Sequence, residues 1–202
     1  MLCIIDINIG NTGSVAKSLR YLGYEFTMSG DPKIIAQASK IIFPGVGSFS
    51  AASEALFQSG LFDCLIQKVI KEGTPILGIC VGMQMLATTG YEHGQSKGLD
   101  FIDAEVNKLN IDPAKYRIPH VGWNDVSTDG SNLYCGIKDG TCFYFVHSYE
   151  MKLNQPTSHA STDYGKPVVA SIHQDNIYGV QFHPEKSQGA GLQLLKNFIE
   201  LC

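Results

Sequence analysis

One apolar strand that stops abruptly at a cysteine constrains this chain more than any other feature. Residues 75–80 read Pro-Ile-Leu-Gly-Ile-Cys, and Gly82 follows, so the cysteine lies in the string Gly-Ile-Cys-Val-Gly. A short apolar run bounded by turn residues is typical of a strand buried on both faces. A glycine-x-nucleophile-x-glycine string is typical of a sharp turn from such a strand into a helix. Both observations favour a parallel sheet covered by helices.

Strands and helices alternate throughout the first half of the chain, which favours a parallel sheet covered on both faces. The predicted strands of this half cover residues 2–7, 41–43 and 75–79. The predicted helices cover 14–22 and 56–70, and another helix is predicted to begin over 83–87.

The second half, from Leu99 onward, has a different texture. Short runs rich in β-branched and aromatic residues alternate with turn residues, which predicts strands joined by turns. These runs cover 101–106, 141–146, 168–172 and 177–182, and an amphipathic helix is predicted over 192–201. The sequence therefore predicts one α/β domain over residues 1–202, with a central, mostly parallel sheet and added antiparallel strands in the second half.

The bulk composition excludes several classes of function. A net charge of -4 provides no electrostatic footprint for nucleic acid or for an anionic membrane. No uninterrupted apolar stretch approaches the roughly 20 residues that a membrane-spanning helix needs. The six cysteines and six histidines show neither a C-x-x-C pair nor a metal-binding histidine spacing. We therefore expect a cytoplasmic enzyme without a metal site or a cofactor.

The cysteine at the turn, Cys80, has two interpretations. A thiol at the start of a helix is favoured as the reactive thiolate, and the amide of Val81 becomes available to stabilise an oxyanion. The alternative is a buried structural cysteine, and on this string alone the two are about equally favoured. The distant string His183-Pro-Glu185 changes the balance. In extended backbone residues i and i+2 lie on one side, so His183 would take the thiol proton while Glu185 orients the ring.

Three further segments invite functional interpretation. Residues 43–49, Phe-Pro-Gly-Val-Gly-Ser-Phe, follow a predicted strand and either present an amide to an oxyanion or form a plain turn. Residues 6–14 match no phosphate-binding glycine pattern, so we reject nucleotide binding. Residues 117–124 contain the only tryptophan, either in a turn that caps the core or in an exposed patch at a partner interface.

Together these strings resemble the class I, triad-type glutamine amidotransferases, and within them the glutaminase subunits of imidazole glycerol phosphate synthase. The turn around Cys80 and the His-Pro-Glu string are shared by all triad amidotransferases. More specific to the subunit are Pro119-His-Val-Gly-Trp-Asn124 and Phe145-Val-His-Ser-Tyr149. The resemblance spans nearly the whole chain and implies a flavodoxin-like, single-domain amidotransferase fold.

The resemblance also implies a role for each matching residue. The triad would be Cys80, His183 and Glu185, with the thiol attacking the side-chain amide of glutamine. The expected oxyanion donors are Val81 and a rotated peptide at Gly45–Val46. The expected glutamine-binding residues are Gln84, Ser148 and Tyr149.

Ammonia would pass to a separate (β/α)₈ cyclase subunit in a heterodimer, and that subunit would make imidazole glycerol phosphate and AICAR in histidine biosynthesis. The candidate interface residues are Asn11, Trp123 and Lys186.

Two segments depart from the family pattern, and both are expected near the partner face. Residues 6–8 read Asp-Ile-Asn where Asp-Tyr-Gly is more common, and residues 88–92 replace a commonly acidic stretch. A paralogous glutaminase that supplies a surface-polysaccharide sugar amidotransferase therefore stays open as the alternative. So do a cysteine peptidase or γ-glutamyl hydrolase on the same scaffold, and an inactive scaffold that stabilises a partner.

Overall fold

The computed structural model describes all 202 residues and contains one large central sheet. Its seven strands run in the order β11-β12-β13-β4-β3-β1-β2. The strands from β2 to β13 pair in parallel, whereas β12 pairs antiparallel with both β13 and β11. The strands are β1 (Leu2–Ile5), β2 (Thr27–Ser29), β3 (Lys40–Gly45), β4 (Ile76–Cys80), β5 (Ala87–Gly90), β6 (Ser96–Lys97), β7 (Ile102–Lys108), β8 (His120–Val126), β9 (Thr141–His147), β10 (Tyr149–Leu153), β11 (Ser158–Asp163), β12 (Pro167–Gln174) and β13 (Ile177–Val180).

The remaining strands form two smaller sheets. A four-stranded sheet has the order β10-β7-β5-β6, and β8 pairs antiparallel with β9. The prediction of an α/β fold with a mostly parallel central sheet and antiparallel strands in the second half is confirmed. The helices are α1 (Thr12–Tyr21), α2 (Pro32–Ile35), α3 (Phe49–Gln58), α4 (Leu61–Leu65), α5 (Val81–Gln84) and α6 (Gln188–Leu201).

Two predicted helices differ from the observed ones. The helix predicted over 56–70 is interrupted at Gly60, whose φ of 71° lies in the left-handed region, and α4 continues as a π-helical turn over Ile66–Lys71. The prediction that a helix begins over 83–87 is wrong, because α5 ends at Gln84. The carbonyl of Met85 accepts from the Leu99 amide, and the carbonyl of Leu86 accepts from the amides of residues 101 and 102. These bonds take up carbonyls that a continuing helix would use, and the chain enters β5 instead.

A cluster of 47 buried residues forms the core and joins both halves of the chain. Strand β4, which leads to Cys80, is buried at every position between β3 and β13. The cysteine therefore lies at the carboxyl end of a central strand, where ligands of open α/β sheets bind. None of the helices combines the length and the apolar character that crossing a membrane requires.

Candidate active site

Cys80 lies on a strained turn that the surrounding backbone imposes. Its φ of 56° and ψ of -112° are unusual for a residue with a Cβ atom. A Cβ atom on Gly82 would lie 1.8 Å from the carbonyl oxygen of Phe43, and one on Gly78 would lie 2.6 Å from that of Gly82. The turn from β4 into α5 therefore leaves no room for a side chain at Gly82, which packs against β3, or at Gly78, which packs against the main chain of α5.

The predicted histidine and glutamate form a buried pair. Nδ1 of His183 lies 2.8 Å from Oε1 of Glu185, and both side chains are 1% exposed. Nε2 of His183 and Oε2 of Glu185 are buried and make no hydrogen bond. The expected extended backbone is present only at His183, because residues 184–186 form a 3₁₀ turn. The predicted contact is therefore made by a different local geometry.

The environment of His183 favours a charged imidazole. Burial lowers the pKa of His183, but the adjacent Cys80 and the Glu185 carboxylate outweigh burial and raise that pKa to about 9. A histidine that gains a proton easily is suited to take one from a thiol. Because Nδ1 faces the carboxylate, the ring nitrogen left for that proton is Nε2.

Strand β9 and helix α6 hold the histidine in place. The amide of His183 donates to the carbonyl of Tyr144 at 2.8 Å, and the hydroxyl of Ser187 donates to the carbonyl of His183 at 2.6 Å. The same hydroxyl accepts from the Tyr144 amide at 3.0 Å. A Cβ atom on Gly191 would lie 1.9 Å from the carbonyl of Pro184, so α6 packs directly against this turn.

Cys80 and His183 open into one cavity of about 260 Å³. The predicted oxyanion residues Val46 and Val81 line the same cavity, whereas Gly45 lies behind them, paired with Cys80 between β3 and β4. The predicted substrate-binding residues also reach it, and they are Gln84, Ser148 and Tyr149.

The side chain of Gln84 is 3% exposed and fixed by protein groups. Its amide donates to the carbonyl of Tyr149 at 3.1 Å and to Oε1 of Gln181 at 3.0 Å. The amide of Gln181 in turn lies 3.8 Å from Sγ of Cys80. Gln84 thus connects the wall of the cavity to a side chain beside the thiol.

The amide of Val46, the second expected oxyanion donor, is engaged by another carbonyl in this conformation. It donates to the carbonyl of Ile9 at 2.7 Å. Gly47, which follows, has a φ of 95°, and a Cβ atom there would meet nothing within 4 Å. The segment is therefore held by one hydrogen bond next to a residue with wide conformational freedom.

The three candidate interface residues lie in two places. Trp123 is 48% exposed and lies edge-on to Tyr144, with ring centroids 6.0 Å apart. Nζ of the exposed Lys186 lies 5.7 Å from the centroid of the same Tyr144 ring. Asn11 instead contacts the triad, because its amide lies 3.5 Å from Oε1 of Glu185.

Two ionisable residues of the cavity wall were not predicted as site residues from the sequence. Glu92 lies on the cavity wall, and its carboxylate accepts from the amide of Phe49 at 2.7 Å. From the sequence, the segment 88–92 was expected near the partner face. His147 also lines the cavity, in the Phe-Val-His-Ser-Tyr string that the sequence analysis used only for the resemblance. The described side chains form no cluster of three or more potential metal ligands.

A strained cysteine at the end of a central strand, facing a buried histidine–glutamate pair, is an arrangement for nucleophilic catalysis. The family model for class-I glutamine amidotransferases matches residues 3–201, so the chain belongs to this enzyme family. The predicted resemblance to that family is thereby confirmed. A crystal structure of a glutamine amidotransferase has the same fold, with a TM-score of 0.76, 19% sequence identity, and coverage of 98% of this chain and 97% of that one.

Curated relatives of full length share more of the sequence. The chain is 43% identical to "Imidazole glycerol phosphate synthase subunit HisH 1" of Campylobacter jejuni, over 100% of both chains. It is 44% identical to "Imidazole glycerol phosphate synthase subunit HisH" of Yersinia pestis, over 98% of both chains.

Proposed function

We propose that this chain is the glutaminase subunit of an imidazole glycerol phosphate synthase. It hydrolyses glutamine and passes the ammonia to a (β/α)₈ cyclase subunit, which makes imidazole glycerol phosphate and AICAR in histidine biosynthesis. The observation that carries the catalytic part is the His183–Glu185 pair, which opens with Cys80 into one cavity. The names of the full-length relatives support the acceptor.

The residues act in sequence on the side-chain amide of glutamine. Nε2 of His183 takes the proton of the Cys80 thiol as sulfur bonds to the amide carbon. The imidazolium then gives that proton to the departing nitrogen, so ammonia leaves and a glutamyl thioester remains. Water next attacks the thioester carbon, with His183 again as the base, and glutamate departs as the thiol is restored. Glu185 fixes the tautomer and stabilises the imidazolium in both steps.

The wall of the cavity offers groups for the other end of glutamine. Gln84, Ser148 and Tyr149 line it, and we assign them to the α-amino and α-carboxylate end. Glu92 is the acidic side chain of the wall outside the triad and is suited to the α-ammonium group.

We infer that the chain alone is poorly active and that the partner switches it on. The amide of Val81 begins α5 and has no acceptor within that helix, and we assign it as one oxyanion donor. The second expected donor, Val46, is engaged by Ile9. Rotation of the Gly45–Val46 peptide would release this amide toward the cavity. Docking of the cyclase near Asn11, Trp123 and Lys186 is the proposed cause of that rotation.

The test combines the chain with the cyclase subunit of the histidine pathway and that subunit's nucleotide substrate. Glutamate release and product formation are expected only with both subunits present. Cys80→Ser should abolish the glutamine-dependent reaction while added ammonium salt still drives product formation. Glutamate release equal with and without the cyclase would refute the switch, and no glutamate release in the complex would refute the assigned function.

A further inference from the structure

A chain of hydrogen bonds runs from strand β8 into the wall of the cavity. The register of β8 and β9 places His120 opposite His147, and Nδ1 of His120 lies 2.9 Å from Nε2 of His147. Nδ1 of His147 lies 2.8 Å from the carbonyl oxygen of Tyr149. At the outer end, the amide of Asn124 lies 3.4 Å from Nε2 of His120 and 2.8 Å from the carbonyl of Asp163.

Only one arrangement of protons satisfies this chain when both rings are neutral. The carbonyl of Tyr149 can only accept, so Nδ1 of His147 carries a proton and its Nε2 accepts. Nδ1 of His120 therefore carries a proton as well, and its Nε2 accepts from the amide of Asn124. A further proton on either ring would leave two N–H groups facing each other, or an N–H facing the amide of Asn124.

Burial keeps both rings neutral. His120 is 3% exposed and His147 is 5% exposed. Burial lowers the pKa of each to about 4, and the proximity of His183 adds to this effect at His147. The ring of His120 is also enclosed by stacking, 3.8 Å between centroids from Tyr164 and 4.8 Å from Phe145.

The chain ends on a carbonyl that also fixes Gln84. The oxygen of Tyr149 accepts from His147 at 2.8 Å and from the amide of Gln84 at 3.1 Å. All three residues line the cavity that contains Cys80. This carbonyl is therefore hydrogen-bonded to the cavity wall on both sides of it.

We propose that His120 and His147 are positioning residues, which fix the Tyr149 carbonyl and with it the wall that receives the α-end of glutamine. They touch neither the thiol nor the reacting amide, and they act through Tyr149 and Gln84. The proposal rests on the glutaminase function proposed above.

Paired substitutions at one position separate positioning from general stability. The amide nitrogen of asparagine occupies the place of Nδ1 of histidine, whereas that of glutamine occupies the place of Nε2. His147→Asn therefore retains a donor for the Tyr149 carbonyl, and His147→Gln lacks it while filling similar space. In the complex with the cyclase, His147→Gln should raise KM for glutamine by about tenfold with little change in kcat. His147→Asn should recover most of that loss.

The same pair at His120 should show the same order with a smaller effect, because His120 acts one bond further away. His159→Gln, at an exposed position of strand β11, is the matched control and should leave KM unchanged. Equal KM values in the glutamine and asparagine variants, or a loss in both that follows their thermal stability, would overturn the positioning role. No turnover by the unsubstituted complex would instead overturn the glutaminase function.

A spectroscopic measurement tests the chain without any turnover. Nitrogen-15 correlation spectra of the imidazole rings should show both histidines as neutral rings protonated at Nδ1 at about pH 7. This is the less common tautomer of free histidine, so it is a distinct signature. Protonation at Nε2 of either ring, or a charged ring at that pH, would overturn the proposed chain.

Discussion

Replacement of Glu185 by glutamine tests the proposed triad with the least change in shape. The carboxylate lies 2.8 Å from Nδ1 of His183, and both side chains are 1% exposed, so the glutamine side chain of the variant is expected to occupy the same place. An amide at this place can donate to Nδ1, which leaves the proton of a neutral ring on Nε2. That nitrogen then cannot accept the thiol proton.

The size of the effect follows from the pKa of His183. A rise from 6.5 to about 9 favours the imidazolium by about 3 kcal/mol after the opposing effect of burial is subtracted, so Cys80 and Glu185 together contribute more than this. Without the Glu185 carboxylate, less opposes the effect of burial, and the pKa of His183 falls. Loss of charge stabilisation alone would lower kcat by about a hundredfold, and a reversed tautomer extends this to about 10⁴-fold.

Two assays check this prediction. Glutamate release in the complex with the cyclase measures kcat, with the exposed Glu25→Gln as the control variant. Alkylation of Cys80, followed by peptide mapping, measures how readily the thiolate forms as pH changes. In Glu185→Gln the rise in alkylation should move to higher pH. A kcat within tenfold of the unsubstituted protein, with an unchanged alkylation profile, would refute the assigned role of Glu185.

Three further outcomes are expected. Gly82→Ala should leave little folded protein or lower the unfolding temperature by several degrees, because its Cβ atom would lie 1.8 Å from the carbonyl of Phe43; thermal denaturation checks this. Because burial lowers the pKa of His120 and His147 to about 4, the unfolded chain binds more protons between about pH 6.5 and pH 4. The free energy of unfolding should therefore fall by about 1 kcal/mol per pH unit for each ring as pH falls through this range. Urea titrations at several pH values should show that the free energy of unfolding of His120→Asn depends less steeply on pH. Trp123→Ala should weaken binding of the cyclase by about tenfold or more, because a half-exposed tryptophan in the proposed interface would be a typical hot spot. Titration calorimetry measures the difference, with Ile70→Ala, an exposed apolar side chain before the amino end of β4, as control.

The triad candidates were accessible from the sequence because their signals are local. A glycine on each side of Cys80 predicts the turn, and the structure shows why both are needed: backbone oxygens occupy the space of their side chains. His183 and Glu185 are two residues apart, so any compact turn brings them close. Extended backbone was predicted to make that contact, whereas in the structure a 3₁₀ turn makes it.

The residues that the sequence analysis missed depend on long-range pairing. Glu92 reaches the cavity because the chain leaves α5 after one turn, and amides of Leu99 and Phe101 bind the carbonyls that would have continued the helix. His120 and His147 meet because β8 and β9 adopt one register, which a slip of one residue would destroy. No pattern within either strand specifies that register.

The close packing at Cys80 also bears on how relatives of this chain can diverge. The space at Gly78 and Gly82 is limited by main-chain oxygens, and a Cβ atom on Gly45 would lie 2.7 Å from the nitrogen of Gly82. These constraints belong to the junction of β3, β4 and α5, and none of them involves the thiol. A descendant that lost its nucleophile and served only to bind a partner would still need all three glycines to fold. In such a lineage the glycines would be retained because the fold requires them. Only the presence of the cysteine, histidine and glutamate would indicate whether catalysis is retained.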